Sequence, residues 1–454
     1  MSKKRNDLMS REVETITQKL VDALEQDAPQ GLLELLQELP EDEVRHSIAS
    51  LKPADQRKLL EAIPPEVAAQ LIQELPESQA VQLLDDIVPR QAAAILDHLP
   101  SDEQADILGA LPDAEARDLL ARMMPEEAGD AMRLLQFAPD TAGGLMITEY
   151  LAFLETLTIS EIIDDLRINA ERYRRYDVQY FYSVDEQGRL KGVLRVRDLL
   201  LSDPETQVAA IAISDPISVT TATPLDKLEQ LFAHYQFYGL PVVDDEGRLV
   251  GMLRRQDVEE AVAAKANRTF LKVLGIFGGE ELRSMPLRER VKGRTTWLTV
   301  NLILDLIAAS VIPLFEETID AVLALVFFLP IISDMGGNTG SQSIGVTLRE
   351  LTAGLITPRD AWRVIRREFP LAIINGAVVG LLLAIVGLVW HGNPYLGLLV
   401  GFALAANTVI AACIGASLPL LLRRFGVDPA VASGPILTTI TDLTGFFLIL
   451  GGAS

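Results

Sequence analysis

Residues 333–343 read Ser-Asp-Met-Gly-Gly-Asn-Thr-Gly-Ser-Gln-Ser and follow directly on an apolar run from Ile319 to Ile332. Three glycines among amides and hydroxyls predict a helix that breaks at or near membrane depth. Exposed backbone is tolerated there only where protein buries it or where it lines a water-filled path. A plain membrane anchor needs neither.

Four further apolar runs surround this one, at about Trp297–Phe315, Phe369–Trp390, Tyr395–Leu422 and Val431–Gly452. Most reach the ~20 residues that a helix needs to cross a ~30 Å hydrocarbon layer. The Ile319–Ile332 run is short, and the glycine-rich stretch extends it. Five spans are expected. The loop after the second carries Arg349, Arg359, Arg363, Arg366 and Arg367, and the loop after the fourth carries Arg423 and Arg424. The loops at Glu316-Glu317 and at His391-Gly-Asn-Pro394 hold no Lys or Arg. Arg-rich loops stay inside. The expectation is a multi-pass protein of the inner (plasma) membrane, N-terminus cytoplasmic and C-terminus extracytoplasmic.

Asp305 lies in the first span, Asp334 near the end of the second and Asp442 in the fifth, and no Lys or Arg lies deep in any span. An acid at mid-bilayer costs roughly 2.5–3.5 kcal/mol on insertion scales, so such residues face a cavity or a partner. The set points to a cationic ligand; the same acids, protonated, would also serve as helix-packing groups. Thr438 and Asp442 are four residues apart and share a helical face. Ala432, Gly434 and Gly445 permit close helix approach. Carboxylate, carbonyl and hydroxyl oxygens suit a hard, hydrated cation, whereas soft metals favour Cys or His.

The rest of the chain is of a different kind. Of the 454 residues, 63 are acidic and 40 basic, and the whole net charge of −23 resides in residues 1–268. That sign excludes nucleic-acid binding by phosphate neutralisation. A single cysteine, Cys413, cannot form an intrachain disulfide, and the four histidines lack ligand spacing. The N-terminus, Met-Ser-Lys-Lys-Arg, has no apolar core of a signal peptide.

Leu39-Pro40, Pro53, Pro64-Pro65, Leu75-Pro76, Val88-Pro89, Leu99-Pro100, Leu111-Pro112 and Met124-Pro125 punctuate an amphipathic region at intervals of 11 to 13 residues. Proline is accepted in a helix's first turn and breaks its interior. Short helices should therefore start near each one and stack into a right- or left-handed superhelix. A second repeat follows, with a spacing of 59: Val184-Asp-Glu-Gln-Gly-Arg-Leu to Asp198 recurs as Val243-Asp-Asp-Glu-Gly-Arg-Leu to Asp257. Each copy reads strand, tight turn, strand, helix start. Two such α+β units are expected to bury their sheets as one pseudo-symmetric module, with Asp198 and Asp257 as helix N-caps or first-turn acids. Residues 258–290 read as a long helix interrupted at Gly275 and Gly278-Gly279. The expected domains are 1–140, helical; 141–204 and 205–262, the two repeats; 263–292, the connecting helix; and 293–454, the five-span membrane domain.

Taken together, this order of parts resembles the MgtE family of magnesium channels over essentially the whole chain. The most specific matches are Asp140-Thr-Ala-Gly-Gly-Leu-Met146, Gly336-Gly-Asn-Thr-Gly-Ser-Gln342, Asp428-Pro-Ala430 and Thr441-Asp-Leu-Thr-Gly445. The resemblance identifies the tandem repeats as a CBS pair and implies a homodimer with one pore on its two-fold axis. Asp442 matches the pore aspartate, and Gly336, Asn338 and Thr438 the pore-lining positions. The resemblance also implies magnesium bound by the cytoplasmic domains in the shut state, with Asp102 and Asp106, Asp226, Asp257 and Asp428 as its regulatory ligands. Arg197-Asp198 resembles an adenine-nucleotide contact, which makes ATP a second candidate regulator, although neither repeat has the Ser/Thr often found three residues before its Asp.

Gly434 stands where the family pattern has a polar side chain, a departure that bears on selectivity. The other departures fall on the regulatory side: the connecting helix carries Lys265, Asn267 and Arg268 where the family pattern is acidic, and Gln236 stands at a sensor position that is usually acidic. Fewer carboxylates mean less repulsion in the metal-free state and weaker affinity for bridging cations. Magnesium-dependent closure is therefore expected to be weakened. No Walker motif suggests a pump, and no nucleophile–base pair suggests an enzyme. The alternatives are a transporter of another divalent cation, a proton-coupled exchanger using Asp305 or Asp334, or a membrane-anchored nucleotide or ion sensor.

Overall fold

The computed structural model describes residues 15–24, 26, 29–38, 47–48, 51–174, 176, 179–276 and 287–454. The chain divides into two compact units, 1–264 and 265–454.

The first unit opens with short helices, from α1 (Pro29–Glu38) through α2 (Pro53–Ala62), α3 (Pro65–Gln73), α4 (Glu77–Asp85) and α5 (Pro89–Leu96) to α6 (Ser101–Ala110), α7 (Asp113–Leu120) and α8 (Pro125–Leu134). Pro53, Pro65, Pro89 and Pro125 occupy first helical positions, and Pro76, Pro100 and Pro112 are N-caps. A missing N–H costs nothing at these positions, where the donor has no intrahelical partner, and the fixed φ suits the entry. The Leu39-Pro40 step lies outside the described residues. Leu59, Ala68, Ile72, Leu84, Ile95 and Leu96 are fully buried in the core between the helices.

Next come two small sheets. In one, β1 (Leu151–Leu154) pairs in parallel with β2 (Tyr180–Val184), which pairs antiparallel with β3 (Leu190–Arg195), flanked by β4 (Ile213–Ser214). In the other, β5 (Val219–Thr220) pairs in parallel with β6 (Gly239–Val243), and β6 antiparallel with β7 (Leu249–Arg254). The 59-residue repeat holds in detail, down to a register irregularity at Ser183/Val184 and again at Val242/Val243. Gly188 and Gly247 both take positive φ in the hairpin turns, where a side chain would be strained. The two hairpins meet tip to tip: Leu190 N–H donates to the Gly247 carbonyl, and Leu249 N–H to that of Gly188, each at 3.0 Å. Tyr182, Ile147, Leu249 and Met252 are buried together between the sheets. Helices α9 (Ile159–Ile168), α10 (Val196–Leu201) and α11 (Leu225–His234) accompany them. Asp198 lies in the first turn of α10 and Asp257 in that of α12 (Arg255–Val273), so neither is an N-cap.

The second unit begins within α12, which stops at Gly275. There φ is +75°, and the Ile276 N–H closes the helix end on the Leu271 carbonyl at 3.0 Å. The interruption expected at Gly278-Gly279 lies outside the described residues. Among the described residues, five stretches are long and apolar enough to cross a membrane: Arg290–Ala321, Leu323–Thr352, Pro358–His391, Pro394–Arg424 and Pro429–Ala453. Their main helices are α13 (Leu287–Ala309), α14 (Leu329–Thr352), α15 (Ala361–His391), α16 (Pro394–Arg424) and α17 (Pro429–Ala453).

The expected break at residues 333–343 does not occur, because α14 runs through them without interruption. Glycine is a poor helix former in water, where solvent competes for the backbone. In a membrane that competition is absent, and the helix keeps its hydrogen bonds. Here glycine gives close contact instead. A Cβ on Gly340 would strike Leu437, and one on Gly415 the backbone of Gly340 itself. The irregular backbone lies earlier, in 3-10 turns at Ile312–Phe315 and Leu323–Phe327.

Candidate functional site

In the second unit, a cavity of about 440 Å³ runs along α14, lined by Pro330, Ser333, Asp334, Gly337, Asn338, Ser341 and Thr438. The lining recurs at helical spacing, so one face of α14 is polar. Ser333 Oγ donates to Asp442 Oδ1 at 2.6 Å and joins α14 to α17. Asn338 Nδ2 donates to Asp334 Oδ2 at 3.0 Å along the same helix. Thr438 sits one turn before Asp442, its hydroxyl donating to the Gly434 carbonyl at 3.2 Å. These groups offer carboxylate and hydroxyl oxygens and one amide to a cation that arrives with its water.

Of the expected pore residues, Asn338 and Thr438 line this groove, and half-buried Asp442 is held at it by Ser333. Gly336 is buried and turned away from it, and a Cβ there would meet Asn407 and Thr441. Gly337 takes the lining position. Asp305 is exposed on α13. Two groups escaped sequence reasoning. Asn407 is fully buried in α16, and Glu368 accepts from Ser343 Oγ at 2.8 Å. An isolated amide in the Tyr395–Leu422 run was the available signal for Asn407.

The acids expected to be regulatory fall into separate settings. In the first unit, Asp102 and Asp257 converge on one guanidinium. Arg254 Nε donates to Asp257 Oδ2 at 2.7 Å, and its Nη2 lies 3.6 Å from Asp102 Oδ2. Asp102 is 9% exposed, and its Oδ1 is buried without a hydrogen-bond partner. Glu149 fixes the start of its helix, accepting from Ser101 N–H at 2.9 Å and Ser101 Oγ at 2.8 Å. Burial pushes the Asp102 carboxyl well above its ordinary range, and the nearby Asp257 charge adds to this. Burial likewise raises Asp257, and lifts Glu103 to about 7 against the hydrogen bond from Gln73. Asp106 and Asp226 are exposed on their helices.

In the second unit, Asp428 caps α17, accepting from Ala430 N–H at 3.0 Å, and its other oxygen pairs with Lys272 Nζ at 2.9 Å. Arg197 is exposed and pairs with its neighbour Asp198 at 3.3 Å. Among the described residues, no group of three or more His, Cys, Asp or Glu is arranged to hold a metal ion.

A five-span helical unit with a polar, carboxylate-bearing groove, joined to a helical domain and a paired α+β module, defines the class of membrane transporter in which a soluble part accompanies an ion path. The particular family follows from comparison with known proteins. Residues 329–452 match the MgtE family, described as divalent cation transporters; 39–140 match the MgtE intracellular N domain; and 142–204 and 208–264 match the CBS domain. The chain is 38% identical over 326 residues to the magnesium transporter MgtE of Thermus thermophilus, which spans 70% of this chain and 71% of that one. It is 32% identical over 323 residues to that of Bacillus subtilis, 71% of this chain and 70% of that one. A crystal structure of the cytosolic domain of the Mg²⁺ channel MgtE in complex with ATP is 34% identical, with a TM-score of 0.50, and covers 54% of this chain and 99% of that one. The chain belongs to the MgtE family, a family of membrane transporters rather than enzymes.

Proposed function

We propose that this chain is a Mg²⁺-selective channel or transporter. It takes up magnesium down the membrane potential, as a homodimer in the inner (plasma) membrane with the N-terminus cytoplasmic and the C-terminus outside. The observation that carries this is the groove on α14, with Asp442 held at it by Ser333 at 2.6 Å. Mg²⁺ gives up its water reluctantly and binds through one or two carboxylates with several waters retained. A wide groove of hydroxyls, an amide and a carboxylate suits such an ion, and a second copy supplies the facing wall and a second Asp442. Asn338 and Thr438 complete the path, with Gly337 in the lining place expected of Gly336. The Arg-rich connections at Arg349–Arg367 and Arg423-Arg424 favour the stated orientation.

Residues 1–140, the CBS repeats at 141–204 and 205–262, and the connecting helix at 263–292 form the sensing part, and 293–454 the membrane part. Asp102, Asp106, Asp226, Asp257 and Asp428 are its Mg²⁺ ligands, and Arg197 and Asp198 an ATP contact. Gating by Mg²⁺ is weakened, because the chain supplies its own cations at two of these places: Arg254 beside Asp102 and Asp257, and Lys272 on Asp428. A divalent ion must displace an ammonium or guanidinium before it binds.

The test is potential-driven Mg²⁺ uptake into proteoliposomes, read by an internal dye, for the wild type and Asp442→Asn. Uptake by the wild type that is lost in the folded variant is expected. A folded wild type without uptake, with or without ATP, would return the chain to the class of anchored sensors.

A further inference from the structure

Asn407 has no exposed surface, and it lies in a membrane-spanning helix, where an unsatisfied amide is costly. Both ends of its side chain are used. Nδ2 donates to the Ile332 carbonyl on α14 at 3.1 Å, and Oδ1 accepts from Thr444 Oγ1 on α17 at 2.8 Å. Ile332 immediately precedes Ser333, and Thr444 is two residues after Asp442. The amide therefore ties together the two helices at either side of the Ser333–Asp442 hydrogen bond. The Thr444 hydroxyl also lies 2.9 Å from the Ile440 carbonyl, so its single proton is shared between the helix and the amide.

Two glycines make room for this side chain. A Cβ on Gly336 would strike the amide nitrogen, and one on Gly445 would lie 3.1 Å from it and 3.0 Å from Ile332. Gly336 is thus a seat for Asn407 rather than a wall of the groove. Apolar packing against lipid-like neighbours does not fix how far one helix slides along another, because Leu against Leu differs little from Leu against lipid. A hydrogen-bonded amide at the crossing of three helices does fix it.

We infer that Asn407 is a positioning residue for ion passage: it sets the register of α14 against α17, and so holds Ser333 and the Asp442 carboxylate at the geometry that admits hydrated Mg²⁺. This rests on the reading of Asp442 as the pore carboxylate. A residue that only glues helices would change stability; a residue that sets the spacing of the carboxylate also changes which ion is accepted.

The experiment measures Mg²⁺ and Ca²⁺ uptake at imposed potential for full-length Asn407→Leu, Thr444→Val, the double variant and Asp442→Asn, each checked by monodisperse elution and thermal unfolding. Asn407→Leu is expected to raise half-saturating Mg²⁺ by about tenfold, as loss of a ligand-orienting partner does, and to admit Ca²⁺. Thr444→Val should shift both in the same direction by less, and the double variant should be no worse than Asn407→Leu. Folded Asn407→Leu with wild-type half-saturation and Ca²⁺ exclusion overturns the inference. Should that variant not fold, Thr444→Val decides, and unchanged values there overturn it equally. Asp442→Asn separates the two readings. If its uptake persists, the pore assignment falls and this inference with it; if its uptake is lost while Asn407→Leu is normal, only this inference falls.

Discussion

Arg254 donates from Nε to Asp257 Oδ2 at 2.7 Å, while its Nη2 reaches to 3.6 Å from Asp102 Oδ2. One guanidinium thus compensates two carboxylates brought together from the helical region and the second CBS repeat. All three groups are largely out of water, with side-chain exposures of 26%, 11% and 12% for Arg254, Asp257 and Asp102. Without the cation, the two acids would face each other in a medium where repulsion is poorly screened.

Replacing Arg254 with Met keeps most of the stem's packing and removes the charge. Breaking a buried pair from one side costs roughly 3–5 kcal/mol; because Arg254 is a quarter exposed, about 1–3 kcal/mol is expected here. The divalent ion should then do what the guanidinium did. In Arg254→Met, added Mg²⁺ should raise the melting temperature of the soluble part and slow its proteolysis markedly, with only a small effect in the wild type. Equal Mg²⁺ responses in the two proteins would mean that Arg254 does not occupy the place of a cation.

The same cluster predicts a pH dependence. Burial raises the carboxyls of Asp102 and Asp257, and lifts Glu103 from 4.5 to about 7. A raised carboxyl binds its proton more tightly folded than unfolded, so stability is greatest at low pH and falls as pH rises. For Glu103 the fall runs from about pH 4.5 to about 7 and amounts to something on the order of 3 kcal/mol. Thermal unfolding of the Mg²⁺-free full chain should show the soluble part losing stability between those values. Glu103→Gln should make the curve shallower in that window, leaving the part due to Asp102 and Asp257, and a slope unchanged by the substitution would rule Glu103 out as a source.

Much of this architecture is legible in the sequence because its causes are local. A proline fixes where each short helix begins, and Gly188 and Gly247 mark turns that recur 59 residues apart. The glycines of residues 336–340 mislead because helix propensity is learned in water, and here they sit in an unbroken helix that packs closely. Asn407 and Glu368 are hidden for another reason. Their roles lie in partners on other helices, Ile332 and Thr444 for one and Ser343 for the other, and no spacing along the chain announces such pairings. Arg254 likewise reads as an ordinary surface cation until Asp102 is placed beside it.

Lys272 and Asp428 form a pair of another kind. Their side chains are 39% and 44% exposed, so the ion pair is worth about 1 kcal/mol or less. Lys272→Gln should leave thermal stability nearly unchanged, since Asp428 keeps its capping bond to Ala430 N–H. It also frees an oxygen of Asp428 for a metal. In the proteoliposome assay the variant should close at lower cytoplasmic Mg²⁺ than the wild type, by a few-fold. An unchanged inhibitory concentration would separate Asp428 from regulation.

Glycines in the membrane unit serve two purposes that substitution can tell apart. At Gly415 a Cβ would enter the backbone of Gly340 on α14, and no rotamer change relieves a clash with backbone. Gly415→Ala must therefore push α16 and α14 apart, and overpacking of this kind costs typically 1–3 kcal/mol. Gly337, on the groove side of α14, has nothing within 4 Å of the added methyl, and alanine is the better helix former by about 1 kcal/mol. Gly337→Ala should fold at least as well as the wild type and yet conduct less, since the methyl intrudes on the path. Gly415→Ala should melt lower or aggregate whatever its conductance. If Gly337→Ala melts lower than the wild type instead, another surface covers Gly337, and the groove is not open along that face.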